Sequence, residues 1–571
     1  MEIHEEASSE AQAPSALSNA EIADRLASLA QLLSTQKENP YKVKAYHRAA
    51  ARIRSLSDSL DELVREDADL TQFPGIGEAI ASAIREIVLT GKLRKLETLR
   101  GQAAPEIASL ADYPRLDPKR VLRVYKKLGI SSIESLREKL DSGELESALG
   151  LRMAQHIRQG LSEAHAMLLY RADDLRDALE EFLLTKCAVK AVQIVGACRR
   201  RVEVIEEIAF VIGTDDFPAV VRRMQRYGGR TTLLGSSSDS AVFALAAGIT
   251  LRLRLCSARA WGLCLVTETG SEAHLKKLEV VTGSLTSLSG NSSFTTEIAF
   301  YRNFGLAYIE PELREGYDEV KCAGRGSLPK LVTEDDIRGE LHAHSTSSDG
   351  VHSIEQMAAA ARERGYEYIG ISDHSQSLKI ARGVSVEDLW KQIRYIDKLN
   401  AKSGDIRILK SSEVDILADG SLDYPDDLLR ELDYTVCSIH SRFALNREQQ
   451  TERLIRAMDN RYFNILGHPT GRLLLKRPGY EIDMDRVVEH ARQNGCFFEI
   501  NSSPDRLDLS ADNARRAAAA GVLIAVNTDS HSMGELQLVR RGLDQARRAG
   551  LAKSAVLNCR SWQKLHSLFR R

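Results

Sequence analysis

His342 and His344 stand one residue apart in the segment Ile337-Arg-Gly-Glu-Leu-His-Ala-His-Ser-Thr-Ser-Ser-Asp-Gly350. In an extended strand, residues i and i+2 face the same side, so both imidazoles can grip one cation. Asp349 follows within reach. Further ligand types recur, each just past a short apolar run. Asp373 and His374 follow Ile371, Glu413 and Asp415 follow Leu409, and His440 follows Cys437. His468 comes after Leu466, and Asp529 and His531 after Val526. Imidazole and carboxylate suit Zn2+, Mn2+ or Fe2+, and the lack of cysteine in the set disfavours a structural thiolate site. A lone His-x-His is more often incidental than not, and Asp415 alone reads equally as a helix cap or a surface charge. The recurrence decides, because buried imidazoles and carboxylates are costly unless paired or metal-bound.

The runs that carry these groups read as strands: Tyr366–Ile371, Ile406–Leu409, Tyr434–Cys437, Phe463–Leu466, Phe497–Ile500 and Val522–Val526. Helical segments such as Ser353–Arg364 and Arg486–Gln493 lie between them. That alternation is the texture of parallel βα units. Such a series closes most simply as a barrel with its site at the C-terminal strand ends.

The rest of the chain is organised differently. At 571 residues it exceeds one ordinary core, and 43% hydrophobic with 28% charged residues is a globular composition. A net charge of −2 gives no global basic field for nucleic acid, so such binding needs local patches. The eight cysteines form no CxxC pair, which fits a reducing, cytoplasmic setting. The acidic N-terminus lacks the apolar core of a signal peptide, and no run approaches the ~18 residues of a membrane span. Residues 1–18 read as a disordered tail. Residues 19–101 are helical by period, interrupted at Phe73-Pro-Gly-Ile-Gly-Glu78, and residues 102–183 are again helical with a turn over Pro114–Lys119. Strand texture appears at Val192–Val195, Ile208–Ile212, Ala241–Leu245 and Ile249–Leu255. A turn-prone stretch covers Thr282–Ser293, and residues 328–336 read as a linker into the last domain.

Residues 336–571 closely resemble the PHP (polymerase and histidinol phosphatase) metallophosphoesterases, through His342-Ala-His344, Asp349-Gly350, Asp373-His374, Glu413, His440, Gly467-His468-Pro469 and Asp529-Ser530-His531. The resemblance implies a distorted (β/α)7 barrel holding three divalent ions, Mn2+ or Zn2+ with Fe2+ also suited. Its implied ligands are His342, His344, Asp349, His374, Glu413, His440, His468, Asp529 and His531, with Glu413 bridging two ions. Bound metal lowers the pKa of water toward ~7, so hydroxide attacks and no side-chain nucleophile is needed. Arg472 and Arg506 are candidate phosphate contacts, with intradomain salt bridging as the equal alternative.

The front of the chain resembles the bacterial family X DNA polymerases, which commonly end in a PHP domain. The match rests on Asn39–Ala50, Pro74-Gly-Ile-Gly77, Gly270-Ser271 with His274, and Pro311–Gly316. It implies a multidomain chain: a lyase-like DNA-binding domain (19–101), a fingers-like domain (102–183), a nucleotidyltransferase palm (184–257), a thumb-like domain (258–327), a linker (328–336) and the PHP barrel (337–571). Pro74-Gly-Ile-Gly77 resembles a helix-hairpin-helix. Gly75 and Gly77 permit the tight turn, and N–H groups at the next helix start face a DNA phosphate. Lys42, Lys44 and Arg48 would add sequence-independent contacts.

The palm departs from the family pattern. Nucleotidyl transfer there needs three carboxylates, and the corresponding positions here are Glu207, Ala209 and Thr250. One carboxylate is a poor cradle for two Mg2+ ions. The family's Schiff-base lysine aligns with Ala83. The expectation is a phosphoesterase acting on gapped, nicked or 3′-end DNA as a 3′–5′ exonuclease or 3′-end or abasic-site repair enzyme, on a polymerase-like platform inactive in nucleotide addition. The alternatives are an active family X polymerase with an editing domain and a histidinol-phosphate-type phosphatase.

Overall fold

The computed structural model describes residues 17–35, 38–54, 56–102, 118–130, 132–150, 153–154, 157, 166–245, 248–288, 293–402 and 404–569. The chain divides into two compact units. One is formed by Met1–Met167, Arg171–Ile194 and Glu206–Ser257, and the other by Leu168–Tyr170, Val195–Ile205 and Ala258–Arg571. No described helix is long and apolar enough to cross a membrane.

The first unit opens with α1 (Asn19–Thr35), α2 (Pro40–Arg54), α3 (Leu60–Arg65), α4 (Glu78–Thr90) and α5 (Arg94–Gln102). Ile22, Leu26, Leu29 and Leu33 recur at helical spacing and bury against Tyr46, Ala49 and Ile53 of α2. The disordered tail expected over residues 1–18 does not extend to Leu17 and Ser18. Residues 1–16 lie outside the described residues, but Leu17 and Ser18 are buried. The Leu17 N–H donates to Asp61 Oδ1 at 3.1 Å, and the Ser18 N–H donates to Glu21 at 2.8 Å, so the two close the start of α1. Next, α6 (Pro118–Leu128), α7 (Ile133–Asp141) and α8 (Glu144–Leu149) share a core of Val121, Val124, Leu136 and Leu145. The turn expected at Pro114–Lys119 falls almost wholly outside the described residues.

A five-stranded sheet completes this unit, with β1 (Ala191–Val195), β2 (Glu207–Gly213), β3 (Thr232–Ser236), β4 (Ser240–Ala244) and β5 (Thr250–Leu255) in the order β1-β2-β5-β4-β3. Strand β3 has no counterpart in the sequence reading. It is an edge strand with mostly exposed residues, so no apolar alternation marks it.

In the second unit, α9 (Trp261–Thr269), α10 (Glu272–Thr282) and α11 (Glu297–Asn303) precede the barrel. Arg314 is fully buried beneath them, and its Nη1 donates to Glu297 Oε1 at 2.6 Å. Burial raises the Glu297 carboxyl, but Arg314 and Arg199 outweigh it and hold the group below its ordinary value. The sign follows. This pairing stabilises fully above the unfolded carboxyl value of 4.5 and is lost as the pH falls through the lower folded value. Glu297→Ala leaves Arg314 buried without its anion, so a loss of about 3–5 kcal/mol is expected. Chemical denaturation at neutral pH reads that loss. The gap between wild type and Glu297→Gln should close on acidification, and a pH-independent gap would contradict the assignment.

The barrel strands are β6 (Gly339–Ala343), β7 (Tyr368–Ile371), β8 (Arg407–Lys410), β9 (Glu413–Asp415), β10 (Val436–Ser438), β11 (Ile465–Leu466), β12 (Phe497–Asn501) and β13 (Ile524–Asn527). Between them run α12 (Ile354–Glu363), α13 (Val386–Lys402), α14 (Arg447–Met458), α15 (Met484–Gln493) and α16 (Ala511–Ala519), and α17 (Val539–Arg548) follows the last strand. All recorded pairings are parallel, in a β8-β7-β6 sheet and a β9-β10-β11-β12-β13 sheet. Strands β8 and β9 are one chain segment broken at Ser411-Ser412, so it pairs with β7 on one side and β10 on the other. The other seam is closed by the parallel bridge Ala343↔Ser530, where the His344 N–H donates to the Ser530 carbonyl at 2.8 Å. Counting that broken segment once gives seven strands, distorted where the sheets meet. The barrel strands are buried nearly throughout, as parallel strands covered on both faces must be.

Residues 328–336 are not a loose tether. Leu331 and Val332 are buried, and the Val332 N–H donates to the Leu551 carbonyl at 3.0 Å. The apolar pair within the polar stretch is what docks it.

Candidate metal centre

Most ligand-type residues singled out in the barrel sit at or just past the C-terminal end of a strand; Glu413 stands at the break between β8 and β9, and Asp349 lies on the loop after β6. His342 ends β6, with His344 next to it; His374 follows β7, Glu413 opens β9, and His440 follows β10. His468 follows β11, and Asp529 and His531 follow β13. The barrel brings them to one rim. His342, His344, Glu413 and His468 are almost fully buried, while Asp349 and His531 are about one-third exposed, at 32% and 33%, and form the open side.

Eight of these residues fall into three overlapping groups whose ligand atoms lie within 4.8 Å of one another. They are His344, Asp349, His374 and His531; His342, His344, Glu413 and Asp529; and His374, Glu413 and His440. Glu413 belongs to two groups. His374 Nδ1 is 2.8 Å from Glu413 Oε2, His440 Nε2 is 3.3 Å from Oε1, and His342 Nε2 is 3.4 Å from Oε2. His468 stands outside the groups yet places Nε2 2.9 Å from Glu413 Oε1. Asp349 Oδ1 lies 3.3 Å from His531 Nε2 and 3.5 Å from His374 Nε2.

The donor set fits divalent cations. Glu413 Oε2, His342 Nε2, His344 Nδ1 and His374 Nδ1 are buried close to one another without a hydrogen bond of proper geometry. Orphaned buried groups of this kind are expensive, and a cation among them satisfies carboxylate and imidazole together. Burial raises the Glu413 and Asp529 carboxyls, but the surrounding imidazoles outweigh it and hold both well below the usual range. Burial, with His374 and His531 alongside, drives the His344 imidazole down to about 4, so it stands neutral with a lone pair to offer. His468 and Asp529 adopt positive φ, at 29° and 54°, a conformation that costs ~1–3 kcal/mol and that the fold imposes. Gly467 precedes His468 because a Cβ there would run into Ser438 and Val436.

The supporting shell was largely missed from sequence. Glu499, on β12, accepts from His342 Nδ1 at 2.7 Å and from the His468 N–H at 2.8 Å. In the sequence it stands inside the apolar run Phe497–Ile500. Asp415 is a buried group that holds His440 Nδ1 at 2.5 Å and accepts from Ser377 Oγ, which rules out the surface-charge reading. Asp373 accepts from the Ser345 N–H, Ser345 Oγ, Ser348 Oγ and Gln392 Nε2 at 2.6–2.8 Å and so braces the loop that leads to Asp349. Glu340 accepts from the His342 N–H and from Thr528, across the seam between β6 and β13. Such outer partners fix imidazole orientation and are worth ~10–100-fold in metal affinity. Glu499→Gln is therefore expected to weaken Mn2+ binding by about that factor in calorimetric titration. An unchanged titration would reduce Glu499 to a packing role.

The two arginines separate. Arg472 donates through Nε to the Arg506 carbonyl at 3.0 Å and through Nη2 to the Leu507 carbonyl and Glu203. Its guanidinium is committed within the fold, so intradomain bridging is the reading its geometry favours. Arg506 lies at the rim, with Nε 3.9 Å from Asp529 Oδ2.

In the first unit, Gly75 has φ +89°, which makes the turn, and Gly77 is the N-cap of α4 with no side chain capping it. Lys42, Tyr46, Phe73, Gly75 and Gly77 line a cavity of about 580 Å3. Lys44 and Arg48 are exposed elsewhere on α2 and do not line it. In the palm sheet, Glu207 pairs with Thr250 and Ala209 with Arg252, so all four share one face. Arg252 Nε lies 3.1 Å from Glu207 Oε2, so the Glu207 carboxylate is held by a cation of its own sheet. Asp215 is paired with Lys190, and Asp216 caps the following helix through the Ala219 N–H. In the second unit, Arg199 binds Glu297 and Thr269, and Arg200 binds Glu315 and the Thr269 carbonyl.

Comparison with known proteins agrees with this layout. The chain matches the helix-hairpin-helix domain family over residues 17–93 and the PHP domain family over residues 340–503. It is 31% identical over 230 residues to a "Probable phosphatase" of Thermoanaerobacter sp. (strain X514), covering 38% of this chain and 89% of that protein. A "Probable phosphatase" of Clostridium acetobutylicum is 30% identical over 232 residues, with the same coverage. The "DNA polymerase/3'-5' exonuclease PolX" of Bacillus subtilis (strain 168) is 34% identical over 566 residues, which is 96% of this chain and 98% of that one. With that likeness running end to end, from a helix-hairpin-helix region in front to a PHP domain behind, this chain belongs to the bacterial family X DNA polymerases that carry a C-terminal PHP domain.

Proposed function

We propose that the PHP barrel is a metal-dependent phosphoesterase acting on DNA, removing nucleotides or blocking groups from 3′ ends or cutting at abasic sites. The polymerase-like half serves it as a DNA-binding platform without nucleotide addition. The observation that carries the reading is the contrast between the two sites. The barrel rim gathers three overlapping ligand groups around Glu413, while the palm keeps one carboxylate already tied to Arg252. The exonuclease in the name of the Bacillus subtilis relative supports the substrate class.

His342, His344, Asp349, His374, Glu413, His440, His468, Asp529 and His531 would hold two or three divalent ions, of which Mn2+ and Zn2+ suit the donors. Bound ions would supply water acidified toward neutral pKa and would offset the charge of the phosphate oxygens. The chain's own part is positional. Glu499 and Asp415 hold His342 and His440 by the ring nitrogen turned away from the centre. Arg506, beside Asp529, would offer a donor to a phosphate oxygen at the centre. The hairpin offers its glycine turn and the uncapped start of α4 to a DNA phosphate, with Lys42 alongside.

Manganese-dependent digestion of gapped, abasic and 3′-phosphorylated duplexes tests this. DNA turnover well above the rate on histidinol phosphate is expected. The phosphatase names of the shorter relatives favour a second reading, a small-molecule phosphatase, and turnover of histidinol phosphate alone would establish it instead.

A further inference from the structure

Helix α13 carries Lys391, Arg394, Tyr395 and Lys398 at positions i, i+3, i+4 and i+7, which is one face, and all four are exposed. Its opposite face buries Leu389, Ile393 and Ile396. The exposed face is one wall of a groove of about 710 Å3 whose other wall includes Thr346, Ser347, Ser353 and Glu355. Thr346 and Ser347 stand between His344 and Asp349 in the chain, so one end of the groove is formed by the loop that carries Asp349. The wall is fixed there, because Gln392 of α13 donates to Asp373 Oδ2 at 2.6 Å, and Asp373 also holds Ser345 and Ser348 of that loop.

The charges in the groove are unequally answered. Lys391 pairs with Asp388 at 2.8 Å, and Glu355 accepts from the Tyr395 hydroxyl. Arg394 and Lys398 have no carboxylate within ion-pair distance among the described residues. Two uncommitted cations one helical turn apart, a half-exposed aromatic ring between them and two exposed hydroxyls suit a sugar-phosphate strand with unpaired bases.

We propose that this groove seats the unpaired DNA strand whose end reaches the metal centre, with Arg394 and Lys398 on successive phosphates and Tyr395 stacking on a base. The proposal rests on the DNA reading above and adds the surface that separates a polynucleotide from a small phosphoester. Both cations are exposed and unpaired, so replacing them leaves the fold and the ligands in place.

The test compares the full chain with Arg394→Glu plus Lys398→Glu, and with Tyr395→Ala, in Mn2+. The substrates are a single-stranded oligonucleotide and bis(p-nitrophenyl) phosphate. The charge variant should raise KM for the oligonucleotide at least tenfold. It should also flatten the slope of log KM against log salt by about 1.4, roughly 0.7 for each lost phosphate contact. Its rate on the small ester should stay within twofold of wild type, which also reports an intact fold. Tyr395→Ala should raise KM without changing the salt slope. An unchanged oligonucleotide KM and slope would overturn the groove alone, leaving the DNA reading in place. Wild-type hydrolysis of the small ester without any of the oligonucleotide would overturn both.

Discussion

Replacing His344 and Asp529 by alanine together is expected to lower DNA hydrolysis to about one-thousandth of wild type or less, because the metal's several kcal/mol of charge stabilisation is removed. The effect is large because of where these side chains sit. His344 belongs to two of the three ligand groups, and Asp529 to the group that joins it to His342 and Glu413. Its Oδ1 is 3.0 Å from His344 Nε2. Removing both leaves Asp349, His374 and His531 without their fourth member and Glu413 with His342 alone in its inner group. Bound-metal analysis should fall with the rate. Retained metal with lost activity would place these residues in the reaction rather than in binding, and full activity would remove the barrel rim from the chemistry.

The second large effect is an absence. Extension of a primer by the wild-type chain, in Mg2+ or Mn2+, is expected to be undetectable. Two-metal transfer requires the acids that hold both ions, and the three palm positions offer only Glu207. Ala209 is buried and donates nothing, and Thr250 faces Glu207 across the strand pair. The Arg252 guanidinium already neutralises Glu207. Robust incorporation would mean that acids from elsewhere reach the palm, and would restore the editing-polymerase reading.

Much of the site was legible because strand periodicity and ligand chemistry are both local. His342 and His344 share a face by the pleat alone, and the further ligand-type residues, Asp349 apart, each follow an apolar run that forms a barrel strand. The broken segment was not legible. Nothing at Ser411-Ser412 announces that β8 and β9 pair with different neighbours. Glu499 was hidden for a similar reason: a carboxylate inside an apolar run declares a burial problem, but its partner His342 is far away in sequence. Arg472 shows the limit from the other side. Its motif context suited a phosphate contact, yet the Arg506 and Leu507 carbonyls and Glu203 claim its guanidinium. Leu17 and Ser18, at the end of a polar tail, and Leu331 and Val332, inside a charged stretch, pack because short apolar elements find distant cores that composition averages conceal.

The most direct test puts both sites before one substrate. A 5′-labelled primer annealed to a longer template is incubated with Mn2+ and all four deoxynucleotides, using wild type and the His344→Ala, Asp529→Ala variant. The wild type should shorten the primer, and the variant should leave it at its starting length, neither shortened nor extended. Extension by either protein, or shortening by the variant, would contradict the assignment of catalysis to the barrel rim.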